Sequence, residues 1–73
     1  MAFGAVLKEH RKTAGLSQEE LAFRAGMHST AISLYERGLR QPTLHTVFTL
    51  AQVLELRPSA LVADMEGLKP ALL

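Results

Sequence analysis

Apolar residues recur at helical spacing from the start of the chain. The first stripe consists of Phe3, Val6, Leu7, His10 and Ala14. Because these positions fall on one side of a helix with about 3.6 residues per turn, they predict a buried helix over about 3–14. Gly15 ends this helix, since glycine takes the left-handed conformation after a last turn without a Cβ clash. His10 lies on the apolar side, so we expect a hydrogen-bonded core histidine.

The next polar run, Ser17-Gln18-Glu19-Glu20, predicts the start of a second helix. It has the pattern of a capping box, in which the Ser17 and Glu20 side chains each accept a hydrogen bond from the other residue's amide. The inward residues of this helix are predicted to be Leu21, Ala22 and Ala25. Gly26 ends the helix after about two turns, and Met27 is expected to cover the turn that follows.

A third short helix is expected to begin at residue 28 or 29 and to end at Glu36, before Gly38. Ile32 and Tyr35 form its narrow buried side. The opposite side carries small or weakly polar residues, namely Ser29, Thr30, Ser33 and Leu34. This outward side is therefore predicted to lack charged groups.

The clearest amphipathic segment follows Pro42 and is capped by Thr43. Its predicted apolar face consists of Leu44, Val47, Leu50, Ala51 and Leu54. Pro58 then favours a new helix start, because proline is well tolerated at a first helical position. The last short helix is expected to include Ala60, Leu61, Val62 and Met65. Gly67 ends it.

These elements predict one all-α domain over residues 1–73, built as a compact bundle of about five short helices. The core is expected to span about 3–65, with an apolar tail at 66–73. The composition favours helix packing, since hydrophobic residues make up 48% of the chain and aromatic residues only 5%. Cysteine is absent, so packing, capping and dimerisation must stabilise so small a domain.

Apolar residues late in the chain exceed what a small core can bury. The residues expected to form an apolar patch are Phe48, Val53, Val62, Met65, Leu68, Leu72 and Leu73. A second subunit would cover such a patch. The sequence therefore predicts a homodimer with an interface built from Phe48, Val62, Met65, Leu68 and Leu72.

Several classes of function are disfavoured. The N-terminal residues 1–4 lack the pattern of a secretory signal, and no apolar run reaches the ~18 residues of a membrane span, so we expect a cytoplasmic protein with no membrane partner. His10, His28 and His45 lie far apart without metal-ligand spacing, and no glycine-rich phosphate loop follows a strand. We therefore expect no enzymatic activity, metal, cofactor or small-molecule ligand. The net charge of +1 decides nothing about nucleic acid.

The segment from Gln18 to Arg37 has the anatomy of a helix-turn-helix, two short helices joined by a tight turn that contains glycine. The chain also contains the motifs Gly15-Leu16-Ser17-Gln18-Glu19-Glu20-Leu21-Ala22, Ala25-Gly26-Met27, Ile32-Ser33-Leu34-Tyr35-Glu36-Arg37-Gly38, Pro42-Thr43-Leu44 and Leu50-Ala51. Through these motifs it resembles the phage-repressor-like family, also called Xre or Cro-type, over about residues 3–65. The combined pattern is specific, although each piece alone is not.

This resemblance implies a lambda-repressor-like fold in which the helix at 29–36 enters the major groove of double-stranded DNA. The side chains that would reach base edges are Ser29, Thr30, Ser33 and Leu34. The side chains that would contact the phosphate backbone are Gln18, His28, Arg37 and Arg40. Arg11 and Glu36 match family positions that pair between the first helix and the end of the recognition helix. The alternative is that Gln18, Arg37 and Arg40 are solvated surface residues and that Arg11 and Glu36 are two independent surface charges.

The predicted function is a sequence-specific transcriptional regulator that binds a near-palindromic operator as a homodimer. Because short hydroxyl side chains give weak direct readout, we expect DNA shape to contribute to selectivity. The alternative function is an antitoxin-type helix-turn-helix protein that binds a partner protein and regulates its own operon. Within the regulators, the compact chain resembles the controller proteins of restriction–modification systems and the shortest phage repressors.

Overall fold

The computed structural model describes residues 3–57, 59 and 60, and all regular structure in these residues is helical. It contains four helices, α1 (Phe3–Thr13), α2 (Gln18–Ala25), α3 (Ser29–Glu36) and α4 (Leu44–Val53). The predicted all-α class is confirmed, with four helices here instead of about five. Residues 59 and 60 are helical, and the rest of the predicted last helix and the tail at 66–73 lie outside the described residues.

Side-chain hydrogen bonds cap two of the helix starts as the sequence predicts. At α2, the amide of Glu20 donates to Ser17 Oγ at 3.0 Å, and the amide of Ser17 donates to Glu20 Oε1 at 2.9 Å. The bond from the Ser17 amide lowers the pKa of the Glu20 carboxyl from its ordinary value. At α4, the amide of Thr46 donates to Thr43 Oγ1 at 3.1 Å. These caps satisfy amides that have no partner within their helix.

The four helices share one way of ending, the Schellman motif, in which a left-handed residue is followed by an apolar residue whose amide bonds back across the last turn. The left-handed residues are Gly15, Gly26, Gly38 and Glu55. The apolar residues that follow them are Leu16, Met27, Leu39 and Leu56, with amide-to-carbonyl distances of 3.1, 2.9, 2.9 and 2.8 Å. Three of these apolar side chains pack against the core, whereas Leu39 is 62% exposed.

The core lies where α3 packs between α1 and α2, and α4 closes it from the side of α2. Its members are Phe3, Val6, Leu7, Leu21, Ala22, Ile32, Tyr35, Val47, Leu50, Ala51 and Leu54. The rings of Phe3 and Tyr35 meet edge to face, with centroids 6.3 Å apart. This is a favoured geometry for two aromatic rings, and it joins the start of α1 to the end of α3.

Three predicted core positions are wrong. The buried side of α1 continues through Arg11 rather than Ala14, which is exposed, and His10 is only half-buried. Arg11 can occupy a buried position because its guanidinium is paired there. Leu44 is 66% exposed, because the buried part of α4 begins one turn later, at Val47.

The backbones of α1 and α3 approach so closely at Gly4 that no side chain fits between them. A Cβ atom built on Gly4 would lie 2.6 Å from the carbonyl oxygen of Glu36 and would also overlap the carbonyl oxygen of Tyr35. Both neighbouring groups are backbone, so neither can turn away. No sequence pattern indicates the role of this glycine, which sets the distance between α1 and the last turn of α3.

We predict that Gly4→Ala lowers the free energy of unfolding by about 3 kcal/mol, because α1 must move away from α3 to make room for the methyl group. Urea denaturation followed by circular dichroism measures the change. Ala5→Gly is the matched control on the exposed side of the same turn, where only helix propensity is lost, about 1 kcal/mol. A stabilised Gly4→Ala variant would show that the two helices do not approach as closely as described.

We also predict that Glu55→Gly raises the free energy of unfolding by about 1 kcal/mol. Glu55 has φ 57°, and this left-handed conformation costs an L-residue about 1–2 kcal/mol but costs glycine nothing. Glycine also raises the conformational entropy of the unfolded chain, which offsets part of the stabilisation. Glu55→Ala is the control, because alanine keeps the strained backbone and should give no such gain. Equal melting temperatures for the two variants would contradict the prediction.

Candidate nucleic-acid interface

The α2–turn–α3 unit presents one side of α3 away from the molecule. Gly26, with φ 69°, turns the chain after α2. His28, two residues later, occupies the capping position just before α3. Ile32 and Tyr35 bury the inward side of α3 against the core. Because successive helical residues are rotated by about 100°, residues two positions away from Ile32 lie on the opposite side of the helix.

The outward side of α3 is formed by short hydroxyl-bearing residues and one leucine. Thr30 is exposed, and Ser29, Ser33 and Leu34 are half-buried. No charged or amide side chain lies between residues 29 and 35 of α3. Because these side chains are short, the backbone of α3 can come close to a bound partner. The side chains present hydroxyl and methyl groups to that partner.

The start of α3 is left without a side-chain cap. His28 occupies the capping position with extended backbone, φ −80° and ψ 147°, and its exposed side chain makes no capping hydrogen bond. The first-turn amides that lack partners within the helix therefore point outward with the positive end of the helix dipole. The start of α2 differs, since the Ser17–Glu20 capping box takes one of its amides.

A buried ionic network joins α1, α2 and α3 beside this surface. Arg11 Nε donates to Glu36 Oε2 at 2.6 Å, and Arg11 Nη2 donates to Glu36 Oε1 at 3.0 Å. Gln18 Nε2 donates to the same Glu36 Oε1 at 3.1 Å. Arg11 Nη1 also donates to the carbonyl oxygen of Leu16 at 2.8 Å. Thus Glu36, the last residue of α3, accepts hydrogen bonds from side chains on α1 and α2.

Water has little access to this network, since only 9% of the Arg11 side chain and 2% of the Glu36 side chain are exposed. The hydrogen bond that the Arg11 guanidinium donates to Glu36 raises the pKa of Arg11 above its ordinary value, so the guanidinium stays charged. Among the described residues, no buried side-chain nitrogen or oxygen lacks a hydrogen-bond partner. The buried charges of Arg11 and Glu36 are therefore compensated by each other and by hydrogen bonds. Buried charges without such partners would destabilise the fold.

The structure joins three of the predicted site residues in one hydrogen-bonded network. Arg11 and Glu36 pair, as the resemblance implied. Gln18 lies at the first position of α2 and is half-buried, and its bond to Glu36 was not foreseen. The two residues are 18 positions apart and meet only once α2 has packed on α3, so no local pattern indicates the contact.

The remaining predicted residues fall into two groups. Arg37 and Arg40 are exposed and follow α3 directly. They lie a few residues along the chain from Ser33 and Leu34 of the outward side. Phe48, on α4, is 49% exposed. The other predicted interface residues, Val62, Met65, Leu68 and Leu72, lie outside the described residues.

Two other types of site are absent from the part of the chain that the structure describes. It contains no group of three histidine, aspartate or glutamate side chains placed to hold a metal ion. None of its helices combines the length and the apolar character needed to cross a membrane.

The helix-turn-helix family matches residues 7–61, which include α2, α3 and the turn between them. The chain belongs to this helix-turn-helix family. The resemblance seen in the sequence is thereby confirmed. A curated relative, the HTH-type transcriptional regulator y4dJ of Sinorhizobium fredii, is 42% identical over 56 residues, which are 77% of this chain and 73% of the relative.

Two solved structures share the helix-turn-helix fold at appreciable sequence identity. The restriction–modification controller protein C.AhdI from Aeromonas hydrophila superposes with a TM-score of 0.79 at 41% identity, over 81% of this chain and 86% of the controller. SinR, a master regulator for biofilm formation solved in complex with DNA, superposes with a TM-score of 0.78 at 31% identity, over 82% of this chain and 97% of the chain in that structure.

We predict that Glu36→Gln lowers the free energy of unfolding by about 3 kcal/mol, because it leaves the Arg11 guanidinium buried without a counter-charge. Chemical denaturation measures this loss. Glu19→Gln is the control, since it removes an exposed carboxylate from the first turn of α2 and should change stability by less than about 0.5 kcal/mol. Similar small effects for both variants would mean that the network contributes little.

Proposed function

We propose that the protein is a cytoplasmic, sequence-specific DNA-binding transcriptional regulator. It binds a near-palindromic operator as a homodimer and places α3 in the major groove. The observation that carries this proposal is the geometry of α3, whose inward side and last residue are fixed while its outward side stays open. Similarity to C.AhdI and to DNA-bound SinR supports it. Within this class, a controller of a restriction–modification system is the nearest functional parallel.

In this proposal, the outward side of α3 contacts base edges. Ser29, Thr30 and Ser33 supply hydroxyl groups that can donate or accept, and Leu34 supplies an apolar contact. These side chains cannot make the two-point hydrogen bonds with which arginine or glutamine identifies a base. Sequence-dependent DNA shape therefore adds to the selectivity of the complex.

Contacts to the phosphate backbone fix the position of α3 in the groove. Gln18 Nε2 carries two hydrogens, and the bond to Glu36 uses one of them. The second hydrogen and the open amides at the start of α2 are suited to one phosphate. His28, Arg37 and Arg40 lie near the two ends of α3 and supply further contacts in this proposal.

The second subunit is proposed to cover an apolar surface that includes Phe48, which the fold leaves 49% exposed. Val62, Met65, Leu68 and Leu72 complete this interface in the proposal. Two recognition helices related by a twofold axis would lie about 34 Å apart, so the operator should have half-sites about one helical turn apart.

The proposal is tested by selecting duplexes that the purified protein binds from a random pool and sequencing them. We expect a near-palindrome and a stable dimer in solution by light scattering. Failure to bind any duplex at low ionic strength would contradict the function. A monomer that becomes dimeric only with a neighbour-encoded protein would instead support the antitoxin alternative.

The phosphate contacts make a separate, quantitative prediction. Arg37→Ala and Arg40→Ala should each reduce the slope of log affinity against log salt by about two for the dimer, because each substitution removes a contact from both half-sites. Fluorescence anisotropy on the selected operator between low and moderate salt measures the slopes. Arg57→Ala is the control, since Arg57 is an exposed arginine outside the helix-turn-helix. An unchanged slope for Arg37→Ala and Arg40→Ala would remove these residues from the interface.

A further inference from the structure

The centre of the outward side of α3 carries methyl groups. Thr30 and Leu34 each lie two residues from Ile32, which is fully buried in the core. At about 100° per residue, they fall about 20° to either side of the direction opposite Ile32. They are four residues apart, so their side chains lie one above the other on adjacent turns. Thr30 is exposed and Leu34 half-buried.

Packing against the core does not account for Leu34. The half-buried apolar residues that contact the core are Leu16, Ala25, Met27, Ala31, Val53 and Leu56. Leu34 is absent from this group among the described residues, and its backbone carbonyl is occupied by the amide of Leu39 in the motif that ends α3. Its half-buried side chain thus lies outside the core cluster, on the outward side of α3.

The major groove presents one apolar group, the methyl group at C5 of thymine, and 5-methylcytosine presents the same group at the same place. All other features of the base edges are hydrogen-bond donors or acceptors. The outward side of α3 has no arginine, lysine, asparagine or glutamine to read those features in pairs. The chemistry of Leu34 therefore matches the C5-methyl group better than any other part of a base edge.

We propose that Leu34, with the Thr30 methyl group beside it, contacts the C5-methyl group of a pyrimidine in each half of the operator. The protein thereby selects a methyl-bearing pyrimidine at that position. This inference rests on the proposed function, because it requires α3 to lie in the major groove. It adds that one position of the half-site is read by apolar contact, without a hydrogen bond.

The test compares duplexes that differ by that methyl group alone. Replacing thymine by deoxyuridine, one position at a time in the selected operator, removes the methyl group and keeps base pairing unchanged. At one position the affinity should fall about fourfold per half-site, the factor for burying one methyl group, and about 15-fold when both half-sites are changed. Where the selected base is cytosine, 5-methylcytosine should strengthen binding by the same factor. The two arms identify the source of the methyl group.

Two protein variants assign the contact to a residue. Leu34→Ala should bind the thymine operator about as weakly as the wild type binds the deoxyuridine operator, and should no longer distinguish them. Leu44→Ala is the matched control, because Leu44 is another exposed leucine, at the start of α4 and outside the proposed DNA contacts, and it should keep the full difference. Circular dichroism and thermal unfolding establish that both variants are folded.

Three outcomes would overturn the inference. The wild type could bind its operator without distinguishing the methylated from the unmethylated base at any position. Leu34→Ala could retain the full difference, which would assign the methyl contact to another residue. In both cases the protein still binds DNA, so the proposed function survives. Absence of binding to any duplex would instead reject the proposed function together with this inference.

Discussion

The structure depends on one carboxylate that links three helices through hydrogen bonds. Glu36 ends α3, and it accepts hydrogen bonds from Arg11 of α1 and from Gln18 of α2. Each bond is directional, and the site is nearly closed to water, so the three helices can meet in only one arrangement. An apolar contact at this place would hold the helices together with less control over their angles.

This constraint matters because α3 is too short to be stable alone. Helices of fewer than about 12–15 residues are marginal in water, and α3 has eight. Its stability comes from Ile32 and Tyr35 on its inward side, from the backbone contact at Gly4, and from the network at its end. All three of these interactions involve the inward side of α3 or its C-terminal half. The outward side and the uncapped start remain available for a ligand.

Local features of the fold could be predicted from the sequence. The capping box at Ser17 and the helix endings at Gly15, Gly26 and Gly38 depend on residues within one turn of each other, so the pattern alone indicates them. Features that depend on how helices pack could not be predicted in this way. The close approach at Gly4 and the bond between Gln18 and Glu36 join residues far apart in sequence. The exposure of Leu44 likewise depends on how α4 packs against the rest of the molecule, which buries the helix only from Val47 onward.

The separation between the two sides of α3 has a consequence for how such a protein can diversify. Residues on the outward side lie outside the core cluster, so replacing one of them alters the surface that the proposed function places against DNA and changes folding stability only slightly. Residues on the inward side have no such freedom, since each is enclosed by the other helices. Under the proposed function, single substitutions on this surface would therefore give new binding preferences on a scaffold that remains folded throughout.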